Sequence, residues 1–205
     1  LLNEINTQGL TPLILAISLD NDTAARLLLE AGADPTQRDT RGNSPLHIAA
    51  QRNNRNLLPL LLESSKNPDP VNQAGQTPLH VAIETLNPQI AGMLINAGAS
   101  PTRKDARGNN LLHMICHRNN PQYEKILEVM LKRVGDVNLR NHDGMTPLHI
   151  AAAHGSANML KLLIQAGAKI DARITDGSSA LFLCQPDLIP DLLELGADIE
   201  TVSAW

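Results

Sequence analysis

The stretch GQTPLHVAIE, residues 75–84, decides the fold, because variants of it return along the whole chain: GLTPLILAIS from Gly9, GNSPLHIAAQ from Gly42, GNNLLHMICH from Gly108, GMTPLHIAAA from Gly144 and GSSALFLCQP from Gly177. The opening glycines are spaced by 33, 33, 33, 36 and 33 residues. Self-similarity at a fixed period means stacked repeats, each a supersecondary unit that cannot cover its own apolar face and is held by its neighbours. A motif that occurs in every unit is a structural device rather than an active site.

Each position in the motif has a physical purpose. In Thr77-Pro78-Leu79-His80 the threonine hydroxyl caps a helix, and the proline fills the first helical position, where no backbone donor is needed. Thr11-Pro12, Ser44-Pro45 and Thr146-Pro147 read the same way. Small and apolar residues follow at helical spacing, as in Leu46, Ile48, Ala49 and Ala50, so that neighbouring helices stack closely. A second helix supplies a leucine stripe, seen in Arg26-Leu27-Leu28-Leu29 and Lys161-Leu162-Leu163-Ile164. Gly32, Gly98, Gly167 and Gly196 then end it.

This pattern resembles the ankyrin repeat over essentially the whole chain. The resemblance implies an all-α solenoid of about six helix-turn-helix repeats with β-turn fingers, forming a single domain over residues 1–205. The repeats begin near residues 7, 40, 73, 106, 142 and 175, and the last is a shortened cap.

Departures from the pattern carry expectations of their own. Ile14 stands in place of the usual histidine in repeat one, and Asn110-Leu111 in place of Thr-Pro weakens the helix start of repeat four. The three extra residues of repeat four fall near Asn119–Tyr123 and predict a longer connection between its helices. Repeat six is short, carries Phe182 for histidine, and ends near Trp205, where a following repeat would begin. Leu1 to Gly9 reads as the tail of an earlier repeat. The opening Leu suggests a processed product or an excerpt of a longer protein.

Composition narrows the function classes. Two cysteines, Cys116 and Cys184, in 205 residues argue against a disulfide framework and fit a reducing, cytoplasmic or nuclear setting. Three aromatic residues and a net charge of −4 disfavour direct nucleic-acid binding. There is no apolar run of membrane-spanning length and no signal leader.

Chemical readings of the motif are weak. His47, His80, His113 and His149 sit one per repeat on helices about 8–10 Å apart. They cannot converge on one ion, so each is read as a hydrogen-bonding residue between turns. His113, Cys116 and His117 share a helix face, but His113 is the structural histidine and Cys116 a packing residue. No third group orients Cys116 as a nucleophile. Asp34, Asp198 and the acids before the turn glycines are turn formers. The expectation is a chain with no cofactor, no metal and no enzymatic activity, monomeric and without membrane contact.

Function therefore falls to the variable surface. In the ankyrin family the turn tips and first helices line a concave binding groove. Mapped by residue, this surface carries Arg38, Arg41, Arg103, Lys104, Arg107, Arg140, His142 and Arg173 at the tips, with Arg52, His117 and Arg118 along the first helices. These include nine of the seventeen lysines and arginines. The last repeat is acidic through Asp187, Asp191, Glu194, Asp198 and Glu200. A protein partner with an acidic or extended segment is expected.

Two segments resemble the inhibitor-of-NF-κB proteins more closely than a generic repeat. Gly75–Ala91, continuing through Ala97–Pro101 and Arg103–Asn109, is similar to their second and third repeats. Asn138–Gly144, leading to Leu148–Ala152, is similar to their fourth. The resemblance implies a groove that holds a Rel-type transcription factor and masks its DNA-binding or nuclear-import surface. An adaptor, or a microbial effector that recruits a host protein, is the competing reading.

Overall fold

The computed structural model describes residues 2–202 and separates into two compact units, Leu1–Ser100 and Pro101–Trp205. Trp205, read above as the place of a following repeat, lies outside the described residues. Among the described residues the fold is all-α, with twelve α-helices and an isolated bridge between Arg173 and Ser179.

The first unit holds three helix pairs: α1 (Pro12–Ser18) with α2 (Asp22–Glu30), α3 (Pro45–Gln51) with α4 (Leu58–Ser65), and α5 (Pro78–Glu84) with α6 (Pro88–Asn96). The second holds α7 (Leu111–Cys116) with α8 (Pro121–Leu131), α9 (Pro147–His154) with α10 (Ala157–Gln165), and α11 (Ala180–Leu183) with α12 (Ile189–Glu194). First helices stack on first helices within each unit, α1 on α3 on α5 and α7 on α9 on α11. Their small residues allow this: Ala49, Ala50, Ala82, Ala151 and Ala152 are fully buried beside Leu13, Leu46, Leu79, Leu112 and Leu148. No described helix is long and apolar enough to cross a membrane.

The histidine of each motif locks a helix start to its neighbour. In repeat two, His47 Nδ1 lies 3.1 Å from the Ser44 backbone nitrogen and 2.9 Å from its hydroxyl. Across the ring, Nε2 donates to the Gln76 carbonyl at 2.9 Å. His149 repeats this with Thr146 and the Ala172 carbonyl, and His113 with Asn110 and the Met145 carbonyl. The reading of these histidines as ties between turns is correct. Burial drives all three rings toward the neutral form, that of His47 to a pKa of about 4.

Three details differ from the sequence reading. Residues 3–10 are the finger of repeat one itself: Asn6 Oδ1 accepts the N–H groups of Gln8 and Leu10, and Asn3 Oδ1 accepts from Asp34 N. Asp39, Asn72, Asp105 and Asn141 close the later fingers in the same way. The insertion in repeat four does not bulge between its helices, because Asn120 caps α8 and Pro121 starts it at once. Two of the three extra residues instead extend α8 to eleven residues, against nine in α2, α6 and α10, and the third falls after it. Repeat four also keeps its cap, since Asn110 Oδ1 accepts from His113 N at 3.2 Å.

That cap is still a poorer one, for a reason specific to the amide. A threonine hydroxyl can accept from the helix N–H and donate to the histidine ring, whereas an amide oxygen only accepts. Asn110 Oδ1 nonetheless sits 2.6 Å from His113 Nδ1, and its Nδ2 is buried without a hydrogen-bond partner among the described residues. Replacing Asn110→Thr restores both bonds and removes the orphan donor. The expected result is a gain of about 1 kcal/mol in urea unfolding; a loss would mean that the amide makes an interaction of its own.

Candidate functional site

The cations singled out in the sequence fall into two groups. Arg38, Lys104, Arg140 and Arg173 each lie four residues before a turn glycine, and each is used inside the fold. Arg38 Nη1 donates to the carbonyls of Gly42, at 2.9 Å, and Val71. Arg140 Nη1 donates to Gly144 and Arg173 carbonyls, both at 2.7 Å. Lys104 Nζ reaches the Arg140 carbonyl at 2.6 Å, and Arg173 Nη1 the Gly177 carbonyl at 3.1 Å. In this register a cation in one finger holds the backbone of its own turn, of the next finger, or of both.

Arg52 is engaged as well, with Nε and Nη2 on the two carboxylate oxygens of Asp20 at 3.3 and 2.5 Å. This pair is exposed, so solvent screens it and it contributes little to stability. Its consequence is for recognition, since Arg52 already has its counter-ion.

Arg41, Arg103, Arg107 and Arg118 are exposed, and no hydrogen bond or ion pair of their side chains is found among the described residues. Arg41 and Arg107 hold equivalent places just before the turn glycine. Their backbones are fixed: the Arg41 carbonyl accepts from Gln73 N at 3.1 Å and the Arg107 carbonyl from His142 N at 3.3 Å. The main chain at these tips is thus set by neighbouring fingers while the guanidinium is left to solvent. His142 is exposed, and its ring lies over Gly108.

In the first unit Arg41 borders a polar cleft of about 460 Å³ between the fingers and first helices of repeats two and three. Asn43, Gln51, Gln73, Gln76, Glu84 and Thr85 line it with amides and one carboxylate. Asn72 Nδ2 donates to Asn43 Oδ1 at 2.9 Å, and Gln76 Nε2 to Glu84 Oε1 at 2.8 Å. In the second unit Asn141 Nδ2 donates to Asn109 Oδ1, the same bond one pair of repeats on. Sequence reasoning missed these amides, although their recurrence at fixed offsets from the turn glycines was a usable signal.

His117 is exposed at the end of α7 and stacks on His154 at the end of α9, with centroids 4.3 Å apart and planes inclined by 24°. His154 was also missed, because α9 runs one residue longer than α3 or α5. Cys116, next to His117, is fully buried, which pushes its thiol far above the ordinary range, and His113 accepts from Asn110 N at Nδ1 and donates from Nε2 to the Met145 carbonyl. Those two residues therefore offer nothing to a metal or substrate. Cys184 is half-buried, with its thiol raised to about 11 by burial and by Asp191. Among the described residues no group of three or more histidines, cysteines or acids is arranged to hold a metal.

Comparison with known proteins agrees with this architecture. A family model of ankyrin repeats (3 copies) matches residues 32–105 and 112–202, and one of ankyrin repeats (many copies) matches residues 1–49. The chain belongs to the ankyrin-repeat family. The crystal structure of the ankyrin repeat domain of Bcl-3, described as a unique member of the IκB protein family, superposes with a TM-score of 0.81. That likeness covers 93% of this chain and 88% of the other at 26% identity. Among curated proteins, an ankyrin repeat-containing protein of Schizosaccharomyces pombe is 38% identical over 48 residues, 23% of each chain. Protein phosphatase 1 regulatory subunit 27 of Mus musculus is 38% identical over 69 residues, 34% of this chain and 44% of that protein. The matched segments thus span less than half the length of these relatives. Repeat arrays of this kind present extended binding surfaces, and the chain is a protein–protein interaction module.

Proposed function

We propose that the chain binds acidic, extended partner segments along the finger tips and first helices of each unit, with Arg41 in the first unit and Arg103, Arg107 and Arg118 in the second as the recognising cations. One observation carries this reading: these four guanidinium groups are exposed and uncommitted, while the other cations singled out on the fingers and first helices are held by carbonyls or by Asp20. Arginine forks pair well with carboxylates, and exposed amides such as Gln51 and Gln73 at the cleft suit an extended main chain.

The test uses an extended peptide of alternating glutamate and serine, followed by fluorescence anisotropy. The triple variant Arg41→Glu, Arg103→Glu, Arg107→Glu is expected to bind at least tenfold more weakly with an unchanged melting temperature. Arg38→Glu is expected to lower the melting temperature instead, since it breaks a finger bond. Equal binding by wild type and triple variant would overturn the assignment of the surface.

A second reading is favoured by the likeness to the Bcl-3 ankyrin domain over nearly the whole of both chains and by the segments from Gly75 and Asn138. It makes the chain an IκB-like protein whose partner is a Rel-type transcription factor, acting in the cytoplasm or nucleus. Mixing the chain with a purified Rel homology region and following release of its DNA tests this directly. No complex at micromolar concentration would sink the IκB-like reading and leave the interaction module standing.

A further inference from the structure

The ends of α7 and α9, neighbours within the second unit, carry two side chains that the fold does not tie down. His117 follows the last residue of α7 and His154 is the last of α9, and their rings stack with centroids 4.3 Å apart and planes inclined by 24°. Both are exposed, and neither ring makes a hydrogen bond among the described residues. The backbone beneath His154 is fixed. Gly155 N donates to the Ala151 carbonyl at 2.8 Å, while Gln185 donates from its backbone to the Ala152 carbonyl at 3.1 Å and from Nε2 to the Ala153 carbonyl at 3.0 Å. Nine and ten residues after the turn glycines of repeats two and three stand Gln51 and Thr85, so the first unit has no such pair there.

This geometry suits an anion better than a metal. An ion shared by two imidazoles lies near the plane of each ring, along a nitrogen lone pair, and rings stacked 24° from parallel do not aim their lone pairs at one point. Arg118 directly follows His117, exposed and with its guanidinium uncommitted. The nearby charges do not supply a counter-ion. On α8, Glu124 is already held by Ser156 Oγ at 2.5 Å and Asn158 Nδ2 at 2.8 Å, and Lys125 and Glu128 lie farther along that second helix. α10 carries Lys161, and α11 has no charged residue, with Cys184 and Asp187 beyond it. His113 and His149, on the same two first helices, are buried and neutral. His154 is held below its ordinary pKa first by partial burial and then by His117 beside it, and no carboxylate acts on it among the described residues.

A stacked pair accepts one proton more readily than two. An imidazolium is attracted to the face of a neutral ring, whereas two charged rings in contact repel. A carboxylate placed against the pair favours the charged form, so its binding and the uptake of a proton assist each other.

We propose that His117 and His154, with Arg118 beside them, form a subsite in the second unit for one carboxylate of an acidic partner segment, and that the pair takes up a proton as the carboxylate docks. The subsite rests on the reading of this surface as one for acidic segments, and it makes that recognition stronger in mild acid.

The probe is the glutamate-serine peptide, titrated against the 205-residue chain carrying Arg41→Glu, which removes the recognising cation of the first unit. Affinity is expected to rise about threefold between pH 7.5 and pH 6.0, a range in which the peptide's glutamates stay ionised and an exposed imidazole titrates. Calorimetry at pH 6.5 in buffers of different ionisation enthalpy is expected to show uptake of about half a proton on binding. His117→Gln and His154→Gln should each abolish both the rise and the uptake, whereas His142→Gln, at an exposed histidine of a fingertip, should leave both in place. Circular dichroism at both pH values checks that every form stays folded. Affinity that does not change with pH, or a rise that survives His154→Gln or is lost in His142→Gln, overturns the subsite and leaves the arginine surface standing. No binding at either pH overturns both.

Discussion

Between pH 6.5 and pH 5 the chain is expected to lose stability steeply in urea, with His47 alone contributing about 2 kcal/mol of the loss. The folded ring must be neutral, because Nδ1 accepts from the Ser44 backbone while Nε2 donates to the Gln76 carbonyl. Burial lowers its pKa from 6.5 to about 4. Above pH 6.5 neither state binds the proton and the full stability is present. As the pH falls below that value, the unfolded chain takes up a proton that the folded chain refuses. Stability then drops by about 1.4 kcal/mol per pH unit for each such histidine and levels off near the folded pKa. His113 and His149 are shifted in the same direction by the same cause and add to the slope. The window lies above the range in which ordinary carboxylates titrate, so the two contributions separate. Urea midpoints at pH 7, 6 and 5, for the wild type and for His47→Asn, measure it. The variant is less stable at pH 7 but has a shallower pH dependence; a flat wild-type profile would mean that the rings tolerate protonation in place.

The sequence made the repeat legible because every unit solves the same local problem. Thr77-Pro78 caps and starts a helix, His80 follows on that helix, and Gly98 ends the second one, so periodicity alone located the helix pairs. Less legible was the use made of surface charge. Arg38 and Arg41 look equivalent in the sequence, yet one is bound to carbonyls 4 and 33 residues away and the other is exposed to solvent. The difference follows from which side of the finger each residue occupies, and the offset of four from the turn glycine marks it only once the bond is known. Repeat four shows the opposite limit. Its extra residues were expected between its helices near Asn119–Tyr123, but whether such residues loop out there or lengthen a helix depends on the cap and proline at Asn120-Pro121. Those two residues start α8 and leave the extra length to its far end.

The finger glycines give the sharpest test of how the repeats are coupled. Gly42 has φ +78°, and a Cβ added there would lie 2.9 Å from the Gln73 backbone nitrogen and 3.1 Å from its Cγ. That nitrogen donates to the Arg41 carbonyl, and the Gly42 carbonyl is itself an acceptor for Arg38. Gly42→Ala therefore combines the left-handed backbone cost of about 1–2 kcal/mol with separation of two fingers, whose bonds are each worth about 1 kcal/mol. The expected loss is about 3 kcal/mol. Gly167 has φ +94° but no atom within 4 Å of an added Cβ, so Gly167→Ala bears the backbone cost alone. Urea unfolding of the two variants should differ by about 1–2 kcal/mol, with Gly42→Ala the weaker protein. Because stability in a repeat array is a sum of nearest-neighbour terms, that difference measures the finger-to-finger part of the coupling. Equal losses would show that the fingers yield independently, and that the helices and buried histidines alone join one repeat to the next.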